Sequence, residues 1–175
     1  PVDSPGTLRG MNGVNRAFLA AGRRYPRLTR PVVSMIGTLW RRSPLAAALW
    51  FQTLLPRTDL TLISQPSIGR ALGASLQQAL SQGSRGVAHE FGLMVSPWGF
   101  ALEEIAHEVR FWHGDADSYV PIGMAEHLCS RLRRAKLEVV PGAGHFLVVD
   151  AAQSILEEMV ERMECTSGAS APLME

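Results

Sequence analysis

Two stretches of the chain, residues 109–121 (VRFWHGDADSYVP) and residues 137–146 (LEVVPGAGHF), decide its fold. Each begins with a short run of β-branched and aromatic residues and passes directly into a turn rich in glycine, aspartate or proline. Such a sequence is typical of a β-strand and the loop that follows it. We predict the strands at residues 109–113 and 137–140, with a helix between them that Pro121 opens. This order is the ending of a parallel α/β sheet.

A further helix is predicted after the second strand. Asp150 and Gln153, three residues apart, resemble a capping box at its start. Its apolar stripe consists of Ile155, Leu156, Met159, Val160 and Met163. Because a parallel pair of strands buried on both faces needs neighbours, we expect the rest of the sheet to be missing or supplied by another chain.

Before residue 97 the pattern is helix after helix. Apolar residues recur at steps of three and four, which is helical spacing. The predicted helices cover about 8–24, 32–42, 44–55 and 67–83, with a short segment near 87–95. Pro26 and Pro31 are expected to separate the first two, and Asn15 is the polar exception on the apolar face of the first.

We therefore predict an α/β fold with three parts. A helical layer or cap occupies residues 1–100, a strand-helix-strand-helix unit occupies residues 101–163, and residues 164–175 form a disordered polar tail. With 175 residues, of which 46% are hydrophobic and 19% charged, the chain has room for one sizeable core.

The composition also indicates where the protein is located and whether it uses a cofactor. No run of about 18 uninterrupted apolar residues occurs, so no membrane span is predicted. The first residues lack the organisation of a signal peptide and look like the middle of a longer protein. A cytoplasmic location is expected because the two cysteines indicate no disulfides. Cys129 and Cys165 stand 36 residues apart without a CxxC pattern, which leaves no zinc or disulfide framework. We predict neither a metal nor an organic cofactor.

Charge is distributed unevenly. Residues 1–57 hold nine arginines and a single acid, Asp3, whereas the remainder holds eight basic and fifteen acidic residues. A basic part of this kind attracts acidic lipid, nucleic acid or an anionic substrate. Because the arginines are spread over several helices without interleaved aromatic stacking positions, we favour two solvated faces that attract each other, and predict no nucleic-acid partner.

Residues 113–121 (HGDADSYVP) and 142–146 (GAGHF) resemble motifs of the α/β-hydrolase family, whose later strands end in HGxxDxxVP and in GxGHF. The separation of 28 positions from Asp117 to His145, with a helix and a strand between them, also fits that family, as does a helical layer that ends in residues 97–100 (PWGF). The resemblance covers nearly the whole chain. Its helical part is similar to the lid of such hydrolases, and the rest is similar to their closing strands and helices.

The resemblance implies that Asp117 is the acid and His145 the general base of a catalytic triad. A carboxylate bonded to one imidazole nitrogen holds the other nitrogen ready to take a proton from a serine hydroxyl. Asp115 is the alternative acid. We favour Asp117 because it stands four residues before Pro121, as in the family pattern, and we expect Asp115 to help form the turn.

The other four histidines are not expected to take part in catalysis. His113, at a strand end, is predicted to pack or to bond the loop. His89, His107 and His127 are expected at ordinary surface or core positions. Five large apolar side chains either line a lid pocket or, as we favour, pack between helices: Met35, Trp40, Trp50, Phe51 and Trp98.

The chain departs from the family because it contains no GxSxG nucleophile elbow. Residues 73–77 (GASLQ) lack the closing glycine and lie in a helical pattern, and residues 83–86 (GSRG) have the wrong spacing, so Ser75 and Ser84 are not expected to be nucleophiles. We therefore expect the C-terminal part of a serine-type hydrolase that acts on a small-molecule ester, amide or related bond and is inactive in isolation. The alternative is a non-catalytic truncated hydrolase that serves as an interaction module, and a homo-oligomer or a complex with a missing N-terminal segment is predicted.

Overall fold

The computed structural model describes residues 6–43, 49, 52–81, 83 and 85–168. Within these residues, the helices before the sheet are α1 (Gly13–Arg24), α2 (Pro26–Arg42), α3 (Arg57–Ile63), α4 (Pro66–Ser81) and α5 (Arg85–Val95). After a short 3₁₀ turn at Leu102–Glu104 follow β1 (Val109–Gly114), α6 (Ile122–Arg131), β2 (Ala135–Val140) and α7 (Leu147–Gly168). The mixture of helix and strand confirms the α/β class in its broad sense.

The sheet in the described part of the chain consists of β1 and β2 alone, paired in parallel. The register runs from Val109 opposite Ala135 to Gly114 opposite Val140. The parallel arrangement was predicted, and it follows from the crossover through α6, since a tight hairpin can join only antiparallel strands. Both strands therefore end at the same edge of the sheet, where the loops 115–121 and 141–146 leave it. We call these the acid loop and the histidine loop.

α1 to α5 form a helical layer. The rings of Phe18 on α1 and Phe91 on α5 lie 4.4 Å apart between centroids. A Cβ at Gly22 would come within 2.9 Å of Cζ of Phe91, so the glycine permits this approach of the two helices. The fully buried apolar side chains of this layer and its entry turn are Met11, Leu19, Val33, Leu54 and Leu55.

Two helix starts differ from the predictions. α2 begins at Pro26, which occupies the first turn, where a missing N–H costs nothing. Pro31 lies inside this helix, so the prediction that it separates two helices was wrong. α7 begins at Leu147 and not at Asp150. The Gln153 amide donates to Glu157 in place of the expected capping box, at 2.8 Å.

α1 and α3 also differ from the predictions, and some predicted segments lie outside the described residues. α1 starts at Gly13, because Asn12 caps it and residues 6–10 form turns. α3 was not predicted as a separate helix. The predicted helix over 44–55 and the segment 169–175 lie largely or wholly outside the described residues, as do the side chains of Trp40, Trp50 and Phe51.

Much apolar surface is uncovered. Met35 and Trp98 are 68% and 42% exposed, so neither packs in a core. The predicted stripe of α7 is exposed at Leu156, Met159, Val160 and Met163. No helix in the described ranges is both long and apolar enough to cross a membrane.

Candidate acid–base site

Asp117 and His145 lie on the two loops that leave the same edge of the sheet. His145 Nδ1 is 3.0 Å from Asp117 Oδ2, which is hydrogen-bond distance. The structure thus brings together the two residues that the sequence singled out. Their contact follows from the parallel register of β1 and β2, since Gly114 and Val140 end their strands side by side.

The carboxylate of Asp117 is held in place by its own loop. It is buried, with 7% of the residue exposed. Its Oδ1 accepts hydrogen bonds from the backbone N–H groups of Tyr119 and Val120, both at 2.8 Å, which leaves Oδ2 for the imidazole. Carboxylates that close a turn on their own backbone in this way are well suited to hold one rotamer.

His113 supports the same loop. Its Nε2 donates to the carbonyl oxygen of Val120 at 2.8 Å, which confirms the prediction of a loop-bonding histidine. The same nitrogen lies 3.8 Å from Asp117 Oδ2, too far for a hydrogen bond. His113 therefore helps to fix the acid loop and does not compete with His145 for the carboxylate.

The hydrogen bond to Asp117 determines which nitrogen of His145 carries the proton. Because a carboxylate only accepts, Nδ1 must donate, and Nε2 of the neutral ring then presents its lone pair. Among the described residues, Asp117 is the hydrogen-bond partner of the ring, and 32% of the His145 side chain is exposed. The ring is therefore oriented, and it can accept a proton from another group.

Two aromatic rings flank the imidazole of His145. The Tyr119 ring centroid is 4.8 Å from that of His145, and the Phe146 centroid is 5.6 Å away. Burial raises the pKa of the Tyr119 phenol above its ordinary value, so the neighbouring ring is neutral at physiological pH. The packing limits rotation of the imidazole without placing a further charge beside it.

Asp115 joins the two loops and does not take the place of Asp117. Its Oδ1 accepts from the backbone N–H of Gly142 at 2.6 Å. A second link runs from the N–H of Ala116 to the carbonyl of Ala143 at 3.0 Å. A Cβ at Gly114 would come within 2.5 Å of the Ala143 carbonyl carbon, so glycine permits the loops to abut. Asp115 has the turn-forming role expected for it.

Asp59, on α3, is a residue of the site that sequence reasoning missed. Only 1% of it is exposed. Its Oδ2 accepts from the backbone N–H of His145 at 2.8 Å, and its Oδ1 accepts from the N–H of Phe146 at 3.0 Å. The two residues are 86 and 87 positions away in sequence. In the sequence Asp59 looks like an ordinary acidic residue in a first helical turn, so no local signal reveals it.

The start of α1 is tied to the acid loop. The Asn15 side-chain amide donates to the carbonyl of Tyr119 at 3.4 Å, and Asn15 is 9% exposed. The Asn12 amide donates to the carbonyls of Ser118 and Leu54, at 3.3 and 3.2 Å. Here the sequence carried a signal, because Asn15 is the polar exception on an apolar helix face. Both site loops are thus bonded to the helical layer.

Two cavities adjoin the histidine loop. One, of about 370 Å³, is bounded by the Asp117–His145 pair together with Trp112, Val148 and Ile155. The other, of about 400 Å³, lies between α4 and the side chains of Phe146 and Val149. Cavities of this size match small organic molecules.

The remaining serine and histidine candidates lie on other elements. Ser75 is inside α4 and not on a strand-to-helix turn, and it lines the cavity of about 400 Å³ together with Phe146, whereas Ser84 is outside the described residues. His89 and His107 are exposed, and His127 is on α6 at the wall of a different cavity. Among the described residues, no group of histidine, cysteine and carboxylate side chains is arranged to hold a metal ion.

Comparison with protein-family models, with curated proteins and with solved structures found no match to this chain. The resemblance to α/β-hydrolases therefore rests on the two motifs, and the site is described by its own geometry.

Proposed function

We propose that this chain supplies the acid and the general base of a serine-type hydrolase of the α/β-hydrolase kind. The observation that carries the proposal is the 3.0 Å contact of His145 Nδ1 with a buried Asp117, at the adjoining ends of two parallel strands. Open α/β sheets present catalytic side chains at this edge. The proposed substrate is a small ester, amide or related bond, and a cytoplasmic location belongs to the same proposal.

The proposed chemistry uses both nitrogens of His145. Nε2 takes the proton of a serine hydroxyl as the serine oxygen attacks the carbonyl carbon, while Asp117 stabilises the imidazolium that forms. The imidazolium then gives its proton to the leaving group, and the acyl group stays on the serine. Water repeats the sequence, with His145 again as the base, and releases the acid product.

Because the sequence contains no GxSxG elbow, we place the nucleophilic serine outside the described residues. It must reach within about 3.2 Å of Nε2, and an oxyanion hole must lie beside it. General acid–base catalysis contributes about 10²- to 10⁴-fold, and it is realised only with that nucleophile in place. The chain by itself is therefore expected to be close to inactive.

The test uses the full reading frame that contains this chain, assayed with short chromogenic esters. We expect Asp117→Asn and His145→Ala to lower kcat/KM by about 10³-fold or more. Matched exposed controls are Asp150→Asn and His89→Gln, which should keep the rate of the unaltered protein. Unchanged rates in both site variants would refute the assigned roles, and so would a frame that encodes no nucleophile elbow.

A second candidate function is suggested by the uncovered surface. The exposed apolar residues of α7 favour an interaction module that pairs with a second copy or with another chain. A sheet of two parallel strands also leaves open edges to which a further strand can add. Sedimentation velocity at micromolar concentration tests this candidate, for which a dimer is expected. A stable folded monomer would exclude pairing with a second copy.

A further inference from the structure

We propose that Asp59 is a positioning residue for His145, through which the helical layer holds the general base in register with Asp117. The proposal rests on a buried carboxylate on α3 that accepts hydrogen bonds from two successive backbone N–H groups of the histidine loop. The inference rests on the proposed role of the Asp117–His145 pair, because it concerns the geometry of that pair.

The contact fixes the backbone from which the imidazole projects. Both oxygens of Asp59 are used, one for each N–H, so the carboxylate cannot turn away without losing a bond. Asp117 holds the imidazole ring of His145 through a hydrogen bond to its Nδ1. His145 is therefore held at its backbone by the helical layer and at its ring by the acid loop.

The site also suits a carboxylate electrostatically. His145 and Phe146 immediately precede Leu147, where α7 begins. The unpaired N–H groups and the dipole at the start of a helix attract negative charge. Asp59 thus places, from a distant segment, a carboxylate beside the two residues that directly precede α7.

A merely structural cap would not require a charged group. Within the described residues, no basic side chain forms an ion pair with Asp59, although 1% of the residue is exposed. Burying a carboxylate without a counterion is costly, and a neutral acceptor would cap a helix at a lower desolvation cost. Two charge-assisted hydrogen bonds are about twice as strong as neutral ones, which favours a role in holding the loop in place.

The close approach of the two segments has a matching feature on the loop. A Cβ at Gly144 would come within 2.5 Å of Cγ and Oδ2 of Asp59. Gly144 is buried and its φ is not positive, so glycine is needed here for space and not for backbone conformation. The absence of a side chain at Gly144 therefore leaves the space that the Asp59 carboxylate occupies.

The test is NMR on ¹⁵N-labelled protein, which requires no substrate. Asp59→Asn retains one acceptor and Asp59→Ala retains none, while Asp150→Asn is the same substitution at an exposed position. We measure hydrogen exchange of the His145 and Phe146 amides, and the resonance of the His145 Nδ1 proton, assigned with His145→Gln. A proton shared with a carboxylate resonates far downfield of backbone amides and disappears when it exchanges freely with water.

For Asp59→Asn we expect the protection of at least one of the two amides to fall by about tenfold or more, the effect of losing one charge-assisted hydrogen bond. The Nδ1 proton signal should broaden or vanish in both Asp59 variants and persist in Asp150→Asn. Unchanged amide protection and an unchanged Nδ1 signal in a folded Asp59 variant would overturn the proposal. Global unfolding of Asp59→Asn would also overturn it, since Asp59 would then stabilise the whole fold.

The two proposals fail separately. If the NMR effects occur but the full reading frame shows no esterase activity, the positioning contact stands and the hydrolase proposal falls. If Asp117→Asn and His145→Ala abolish activity while Asp59→Asn leaves both NMR readouts unchanged, the hydrolase proposal stands and the positioning role falls.

Discussion

Replacing Gly144 by alanine tests the packing between the helical layer and the histidine loop. The new Cβ would lie within 2.5 Å of Cγ and Oδ2 of Asp59 and closer still to Oδ1, a separation that the folded protein cannot keep. If Asp59 moves, at least one of its two charge-assisted bonds is lost, at about 1.5–3 kcal/mol. Overpacking of a close contact costs about 1–3 kcal/mol by itself. We expect Gly144→Ala to lower the free energy of unfolding by about 2–4 kcal/mol.

The measurement is urea unfolding followed by far-UV circular dichroism. With a slope of about 2 kcal/mol per molar urea, the midpoint should fall by about 1–2 M. Gly73→Ala is the matched control, because that glycine lies in α4 with open space around its Cβ position, and the substitution should stabilise by up to about 1 kcal/mol. Gly142→Ala, at φ 72° and also with open space, should cost about 1–2 kcal/mol from backbone strain alone. A loss below about 0.5 kcal/mol in Gly144→Ala would show that the contact with Asp59 is not tight.

Two further outcomes follow from charged and titratable groups. Because burial raises the pKa of Tyr119, its phenolate absorbance should develop above pH 10, and the folded state should lose stability as pH rises past about 10, where the unfolded chain ionises first. Tyr119→Phe should flatten that part of the stability profile, and an unchanged profile would contradict the assignment. Arg110, whose side chain is 12% exposed, forms ion pairs with Glu108, Glu138 and Glu158, although its Nε and Nη1 make no well-directed hydrogen bonds. Arg110→Met should therefore cost about 1–2 kcal/mol in urea unfolding, less at high salt, and a salt-independent loss would point to packing instead of charge.

The pair at the centre of the site could be anticipated because its signals are local. Each residue stands in a turn directly after a β-type run, and two such units in succession predict parallel strands with their ends together. The structure shows that contact, at 3.0 Å. Its catalytic role stays a prediction, as does the hydrolase assignment that rests on the two motifs.

The predictions for α7 failed because its surroundings depend on contacts with distant segments, which the local sequence does not reveal. Asp150 and Gln153 match a capping box, yet α7 starts at Leu147, directly after the two residues whose N–H groups Asp59 accepts. Likewise the apolar stripe of α7 was read from periodicity, which identifies a face but not the element that covers it. Four of its residues are exposed.

The sequence by itself determined the order of the elements from β1 to α7, the parallel strand pair and the two loops with their acid and histidine, because helical periodicity and turn chemistry act over a few residues. Only the tertiary structure decided what holds those loops. Asp59 reaches His145 across 86 residues, and Asn15 reaches Tyr119 across 104. A buried carboxylate bound to backbone N–H groups leaves no pattern along the chain, since its partners are present at every residue and their choice depends on how the helical layer packs against the sheet.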